Sequence, residues 1–265
     1  MASPSIYAPD ISFCDAYATK AVSQNQTAQA AKCEFSGVRW SDDLEGQQKW
    51  CSSVREEVAQ AETLARAKDL LTCFGTDVGV NDGDLSLIPD DLGGEMIAAV
   101  QKGKLSRTQQ LLAAGADLDY EGMQGNDGKM LFVAMSNGRE DLIKFFIGLG
   151  QDPNATFNGG WSPIAMFVGK PKMLEYLLEH GGDANSTGEL YEFNQLPILS
   201  AINSNDLESL NILIKHGARV QIDEMMDECM GSTLLDYAIK KAKPEIVAAL
   251  RKAGAKTYAE CSQQQ

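Results

Sequence analysis

Gly115-Ala116-Asp117-Leu118-Asp119, Gly150-Gln151-Asp152-Pro153-Asn154, Gly181-Gly182-Asp183-Ala184-Asn185, Gly217-Ala218-Arg219-Val220-Gln221 and Gly254-Ala255 are five versions of one ending. Successive endings lie 35, 31, 36 and 37 residues apart, the unit size of a two-helix repeat. Within units the spacing is stricter: Ala99 to Gly115, Ala134 to Gly150, Ala201 to Gly217 and Ala238 to Gly254 are each 16 residues. A small residue such as Ala134 lets a first helix cross a second, whose apolar side is Leu142, Ile143, Phe145, Phe146 and Ile147. The Gly of each ending supplies the left-handed dihedrals that stop the second helix. One such helix pair cannot bury its apolar side alone. Residues 92–255 are therefore expected to stack as five repeats in one elongated, all-α domain.

The unit openings add a second pattern: Ser162-Pro163-Ile164, Leu196-Pro197-Ile198-Leu199-Ser200-Ala201 and Thr233-Leu234-Leu235-Asp236-Tyr237-Ala238, with Glu95-Met96 and Met130-Leu131 keeping only the apolar part. Openings and endings together resemble the ankyrin repeat, whose signature begins Thr-Pro-Leu-His-x-Ala. The resemblance implies an ankyrin-repeat solenoid that presents surfaces to other proteins. The third unit is about two residues short between Phe167 and Gly169, which predicts a short first helix or a turn containing Pro171.

Ahead of the repeats, Cys14, Cys33, Cys51 and Cys73 are spaced 19, 18 and 22 residues apart, without the close pairs of a zinc site or a thioredoxin-like centre. Residues 11–32 and 43–73 read as two antiparallel helices that bury Phe13, Tyr17, Val22, Trp50, Val54, Val58, Leu64 and Leu70. Across such a hairpin the numbers of facing residues have a nearly constant sum, and one register then joins Cys14 to Cys73 and Cys33 to Cys51. A small core gains from bridges that constrain the open chain; four reduced, buried cysteines are the alternative. A third bridge, Cys229 to Cys261, stays open. Ser12 is the expected cap of the first helix and Ser41 or Asp42 of the second, with Trp40 folded back over the hairpin. The polar run Gln24-Asn25-Gln26-Thr27 reads as solvated face.

Phe13-Cys14-Asp15-Ala16-Tyr17-Ala18, Cys33-Glu34-Phe35-Ser36-Gly37-Val38-Arg39-Trp40, Trp50-Cys51 and Cys73 resemble a cysteine-bearing segment of exported proteins of Gram-negative bacteria. That resemblance implies disulfides and a periplasmic location, with the signal peptide absent from the sequence as given. The expected organisation is a disulfide-bridged helical hairpin over 1–74, an acidic linker over 75–91, ankyrin-like repeats over 92–255 and a polar tail over 256–265. Asp82-Gly83-Asp84 in the linker lacks the alternating ligands and terminal Glu of a calcium loop.

The chain has 37 acidic and 23 basic residues, a net charge of -14. This balance opposes nucleic acid and anionic membranes and favours a protein partner with a basic surface. No apolar run approaches membrane-spanning length. The connections 120–128, 186–195 and 222–231 are expected to project along one side. They carry Glu121 and Asp127, then Glu189, Tyr191, Glu192 and Phe193, then Asp223, Glu224, Asp227 and Glu228, with no His, Lys or Arg. Together with Phe157 and Trp161 these form the expected partner-binding set, apolar anchors ringed by acids; local packing between units is the competing use of Trp161.

The histidines, His180 and His216, stand just before the terminal Gly of two units, where the negative pole of a helix end favours them. No Ser-centred elbow, phosphate-cradling loop or zinc-hydrolase motif is present. A catalytic residue, a metal and a cofactor are therefore not expected. The exported-protein resemblance at the cysteines, a rigid recognition solenoid and acidic connections without a catalytic set converge on the expectation of a periplasmic binding protein, an immunity protein or inhibitor directed at a secreted effector such as a lipase or cell-wall hydrolase. The alternative is a structural adaptor or regulator of an endogenous envelope protein.

Overall fold

A computed structural model describes residues 9–75, 91–120, 130–155, 162–187, 196–222 and 232–262, and every regular element among them is helical. The chain divides into two compact units, Met1–Gln151 and Asp152–Gln265.

The first unit opens with α1 (Ile11–Ala30), which starts where the Asp10 carboxylate accepts the Phe13 N–H at 2.7 Å. Asp10 therefore caps the helix in place of the expected Ser12, whose hydroxyl donates to the same carboxylate. The buried face of α1 includes Cys14, Tyr17, Ala18, Ala21, Gln24, Asn25 and Ala28, steps of three and four along one helical stripe. Gln24 and Asn25 fall on that stripe, so the reading of 24–27 as solvated face is corrected. Gln24 is 0% exposed, and its Nε2 donates to the Thr63 and Ala113 carbonyls at 3.2 and 2.6 Å. The Ala113 carbonyl lies at a helix end, where no partner exists within the helix itself. Asn25 donates to Asp42 at 2.8 Å.

The expected second helix over 43–73 is two helices, α2 (Leu44–Ser52) and α3 (Glu56–Cys73). The Ser53 hydroxyl closes the end of α2 on the Trp50 carbonyl at 2.6 Å, and Arg55 is extended. Glu56 and Glu57 then occupy the first turn of α3, where the helix dipole favours acids. Asp43 caps α2 through the Gly46 N–H at 2.9 Å, in place of Ser41 or Asp42.

This break reverses the chain once more. Going up α1 from Asp15 to Asn25, the α2 side of the contact goes down from Gln48 to Asp42, so these two are antiparallel. Gln24 meets Thr63, and Cys33 meets Cys73, at sequence separations of 39 and 40, so α3 runs parallel to α1. The observed bridges are accordingly Cys14–Cys51 and Cys33–Cys73, with Cα–Cα distances of 5.5 and 6.0 Å. The expected pairing, Cys14 with Cys73 and Cys33 with Cys51, is wrong because it required one unbroken second helix.

The repeats begin with α4 (Leu92–Gln101), α5 (Leu105–Ala113), α6 (Met130–Ser136) and α7 (Glu140–Gly148). Ala99 and Ala134 are buried. Helices α1 and α3 cover the first repeat: Ala113 packs with Ala28, Ala67, Leu70 and Leu71, and the Ser23 hydroxyl donates to the Ala116 carbonyl at 3.1 Å. Gly115 has φ +97° and a Cβ there would lie 3.1 Å from Lys20 Cβ, so both conformation and the approach of α1 require glycine. Phe74, just past α3, meets Phe145 of α7 edge-on at 5.5 Å.

The second unit holds a four-residue 3-10 turn (Ile164–Phe167), α8 (Pro171–Glu179), α9 (Pro197–Ser204), α10 (Leu207–Lys215), α11 (Leu234–Lys241) and α12 (Pro244–Lys252). The short third unit thus reduces its first helix to a single turn, and Pro171 opens the second helix, where a missing N–H costs nothing. Residues 256–265, read as a polar tail, contain α13 (Tyr258–Ser262). The Asp236 carboxylate caps α11 through Thr233 and also accepts the Tyr258 N–H at 2.7 Å, which ties α13 to the last repeat.

A side-chain ladder joins consecutive endings of this unit. Asn154 donates to the Gly181 carbonyl at 2.8 Å and accepts the Asp183 N–H at 2.7 Å. Asn185 does the same with Gly217 and Arg219 at 3.1 and 2.7 Å. Gln221 Oε1 accepts the Lys256 N–H at 2.7 Å. We expect Asn185→Ala to lower stability by about 1–2 kcal/mol, since two bonds near a wet surface are lost. Asn185→Asp, which keeps the acceptor and loses the donor, should cost about half as much; urea unfolding measures both.

Candidate protein-binding site

The expected partner-binding residues Glu121, Asp127, Phe157, Trp161, Glu189, Tyr191, Glu192, Phe193, Asp223, Glu224, Asp227 and Glu228 all lie outside the described residues, as do Asp77, Asp82, Asp84, Asp90 and Cys229. What is described are the feet of those connections. The Tyr120 ring packs so tightly on Gly93 that a Cβ there would meet it at 2.4 Å. Ser162, Thr187 and Leu196 are buried. Leu234 N–H donates to the Ile222 carbonyl at 2.8 Å, which draws the two ends of the 222–231 connection together. Cys261 is disulfide-bonded, and its Sγ accepts from Gln221 Nε2 at 3.1 Å.

A cleft of 510 Å³ opens within the N-terminal three-helix module, walled by Tyr17, Val38, Arg39, Trp50, Glu62 and Arg66. Its floor is an ion network. Arg66, only 1% exposed, donates from Nε to Glu62 at 3.4 Å and from its terminal nitrogens to Gln47 Oε1 at 3.1 Å, the Ala21 carbonyl at 3.3 Å and Tyr17 Oη at 3.5 Å. Arg39 grips both Glu62 oxygens, at 2.5 and 3.1 Å, and reaches Asp69 at 3.1 Å. These hydrogen bonds from Arg39 hold the Glu62 carboxyl below the usual glutamate range, and Glu62 in return raises the Arg39 guanidinium. Burial pushes the Tyr17 phenol up against the opposing charge of Arg66.

Aromatic rings frame the network. Tyr17 and Trp50 lie 5.4 Å apart, Trp40 stacks on Phe35 at 4.3 Å, and the Arg66 guanidinium sits 5.8 Å from the Trp40 ring. Trp40 folds inward as expected. Sequence reasoning missed the cleft, although a signal exists: Ala59, Arg66 and Leu70 are seven and four apart on the buried face of α3, and a charge on such a stripe needs a buried partner.

His180 and His216 are the C-cap residues of α8 and α10. His180 Nδ1 meets the Tyr176 carbonyl of its own helix at 2.7 Å, whereas His216 Nε2 lies 3.8 Å from Glu175 on the neighbouring α8. Among the described residues no group of three or more His, Cys, Asp or Glu is placed to hold a metal ion, and no helix is long and apolar enough to cross a membrane.

The model for ankyrin repeats, three copies, matches residues 95–188 and 164–261. The chain belongs to the ankyrin-repeat family. Ankyrin repeats are scaffolds for protein–protein interaction, and those of this chain serve the same general purpose. The chain is 27% identical over 133 residues to a cyclin-dependent kinase inhibitor 2A of Monodelphis domestica, covering 50% of this chain and 74% of that protein. It is 24% identical over 166 residues to a putative palmitoyltransferase of Danio rerio, covering 60% of this chain and 24% of the relative. It is 23% identical over 152 residues to the phosphocholine transferase AnkX of Legionella pneumophila, covering 56% of this chain and 16% of that protein. The last two matches thus take in only a minor part of much longer proteins.

Proposed function

We propose that this ankyrin-repeat protein is a periplasmic immunity protein that binds and neutralises a secreted antibacterial effector of the lipase or cell-wall hydrolase type. The observation that carries the reading is the pair of disulfides, Cys14–Cys51 and Cys33–Cys73, in a module built against a protein-binding repeat. Disulfides persist in oxidising compartments, and the cysteine-bearing segment resembles exported proteins of Gram-negative bacteria. The acidic connections and the net charge of -14 favour an effector with a basic surface.

Tight inhibition needs apolar anchors at the interface, because charge mainly steers encounter and is screened by salt. In this reading Tyr191 and Phe193 are anchors and Glu189, Glu192, Asp223, Glu224, Asp227 and Glu228 form the acidic rim. Tyr191→Ala or Phe193→Ala should raise the dissociation rate, costing about 1–4 kcal/mol of binding, while a single rim acid should change chiefly the association rate. The test is affinity capture with the adjacent gene product and with secreted effectors, followed by an inhibition assay on the captured enzyme. A bound effector that keeps its full activity rejects the immunity reading. Preserved activity of a bound endogenous envelope protein would instead support an adaptor.

A further inference from the structure

We infer that the cleft of the N-terminal module binds a lysine or arginine side chain of the protein partner. This rests on the reading above that the partner is a basic protein, and it adds a contact site away from the repeat connections. The cleft combines two kinds of surface. Val38 is 93% exposed and Trp50 36% exposed, so an apolar and aromatic wall faces solvent beside the buried Tyr17. Asp43, also on the lining, belongs to the exposed run Asp42-Asp43-Leu44-Glu45, three acids with no base. A long alkyl stem ending in a cation matches both: the stem covers Val38 and Trp50, and the head group meets the ring face and the Asp43 carboxylate.

The two arginines of the lining do not oppose this occupant. Arg39 is held by both oxygens of Glu62 and by Asp69, and Arg66 is withdrawn from solvent beneath the cleft. An anion would have to compete with those carboxylates and approach Asp43, while a purely apolar side chain would desolvate Asp43 without replacing its water. A cation is the occupant that leaves no charge in the cleft unmatched.

The test is an NMR titration of the oxidised full chain with the capped tripeptide acetyl-Gly-Arg-Gly-amide, beside its Leu and Glu counterparts at equal ionic strength. The Trp50 indole resonance, assigned with Trp50→Phe, and the Val38 amide should shift saturably with the arginine peptide alone. Val38→Lys places a like charge on the wall and should weaken the arginine peptide about tenfold, whereas Val38→Glu should leave binding intact or tighten it. Val38 is exposed, so both variants should melt like the parent. Absence of a saturable shift, equal shifts from the Leu or Glu peptide, or indifference to Val38→Lys overturns the inference. Such a failure leaves effector inhibition through the repeat connections standing. Conversely, failure of the inhibition assay leaves the peptide result unaltered.

Discussion

Glu62→Gln is expected to destabilise the protein by about 3–5 kcal/mol, the usual cost of leaving one member of a buried ion pair without its counter-charge. Glu62 serves Arg39 and Arg66 at once. Arg39 is half-exposed and retains Asp69, so water and a second carboxylate soften its loss. Arg66 has neither; its other partners are the neutral Gln47, Tyr17 and Ala21 carbonyl. Arg66→Met should cost less than Glu62→Gln, because it removes the buried charge along with its need for a partner and leaves Glu62 bound to Arg39. The order of the two urea midpoints, at unchanged slope, decides the matter; Arg66→Met costing more would show that packing rather than charge dominates at this site. The same pair sets a pH dependence. Because the folded pKa of Glu62 is lowered, its contribution is fully present above the unfolded value of about 4.3 and fades as pH falls through the folded value. Glu62→Gln should therefore lose stability at neutral pH yet show a shallower decline than the parent below about pH 4.

The repeats were legible because their constraints are local and recur. Gly115, Gly150, Gly181, Gly217 and Gly254 all adopt positive φ, and the alanines sixteen residues before four of them are buried. The N-terminal module was legible in part. Its helical content and two bridges followed from spacing, but the reversal at Ser53-Val54-Arg55 uses neither Gly nor Pro and leaves no mark strong enough to separate it from a continuous helix. From that one break came the wrong bridge pattern and the missed cleft. Gln24 and Asn25 misled for a related reason: in isolation an amide reads as solvent-facing, and only the stripe from Cys14 to Ala28 places these two against another helix. The candidate contact residues between repeats sit in aperiodic connections, where composition suggests a role but no periodicity assigns a position.

Replacing Cys33 and Cys73 together with Ser is expected to cost about 4 kcal/mol, the loop-closure value for the 40-residue separation that this bridge spans. The effect should not stay confined to the bridge. Leu70 and Leu71, in the same last turn of α3 as Cys73, pack on Ala28 and on Ala113 of the first repeat, and Phe74, directly after Cys73, meets Phe145. Releasing the end of α3 thus loosens the cover over α5 as well as the module itself. Cys14→Ser with Cys51→Ser opens a loop of similar size, 37 residues, yet acts on the cluster of Tyr17, Ala18, Ala21 and Ala59, which includes no residue of the first repeat. Hydrogen exchange should therefore quicken in α5 for the first double variant and much less for the second. Non-reducing tryptic mapping checks the premise independently. Cleavage after Lys32, Arg39, Lys49 and Arg55 places Cys33 and Cys51 on separate short peptides. Cys33 should be recovered joined to the peptide beginning at Asp69, and Cys51 joined to the one ending at Lys20. Recovery of 33–39 joined to 50–55 would mean that α3 does not run parallel to α1, and the expected spread of the effect into the first repeat would lose its basis.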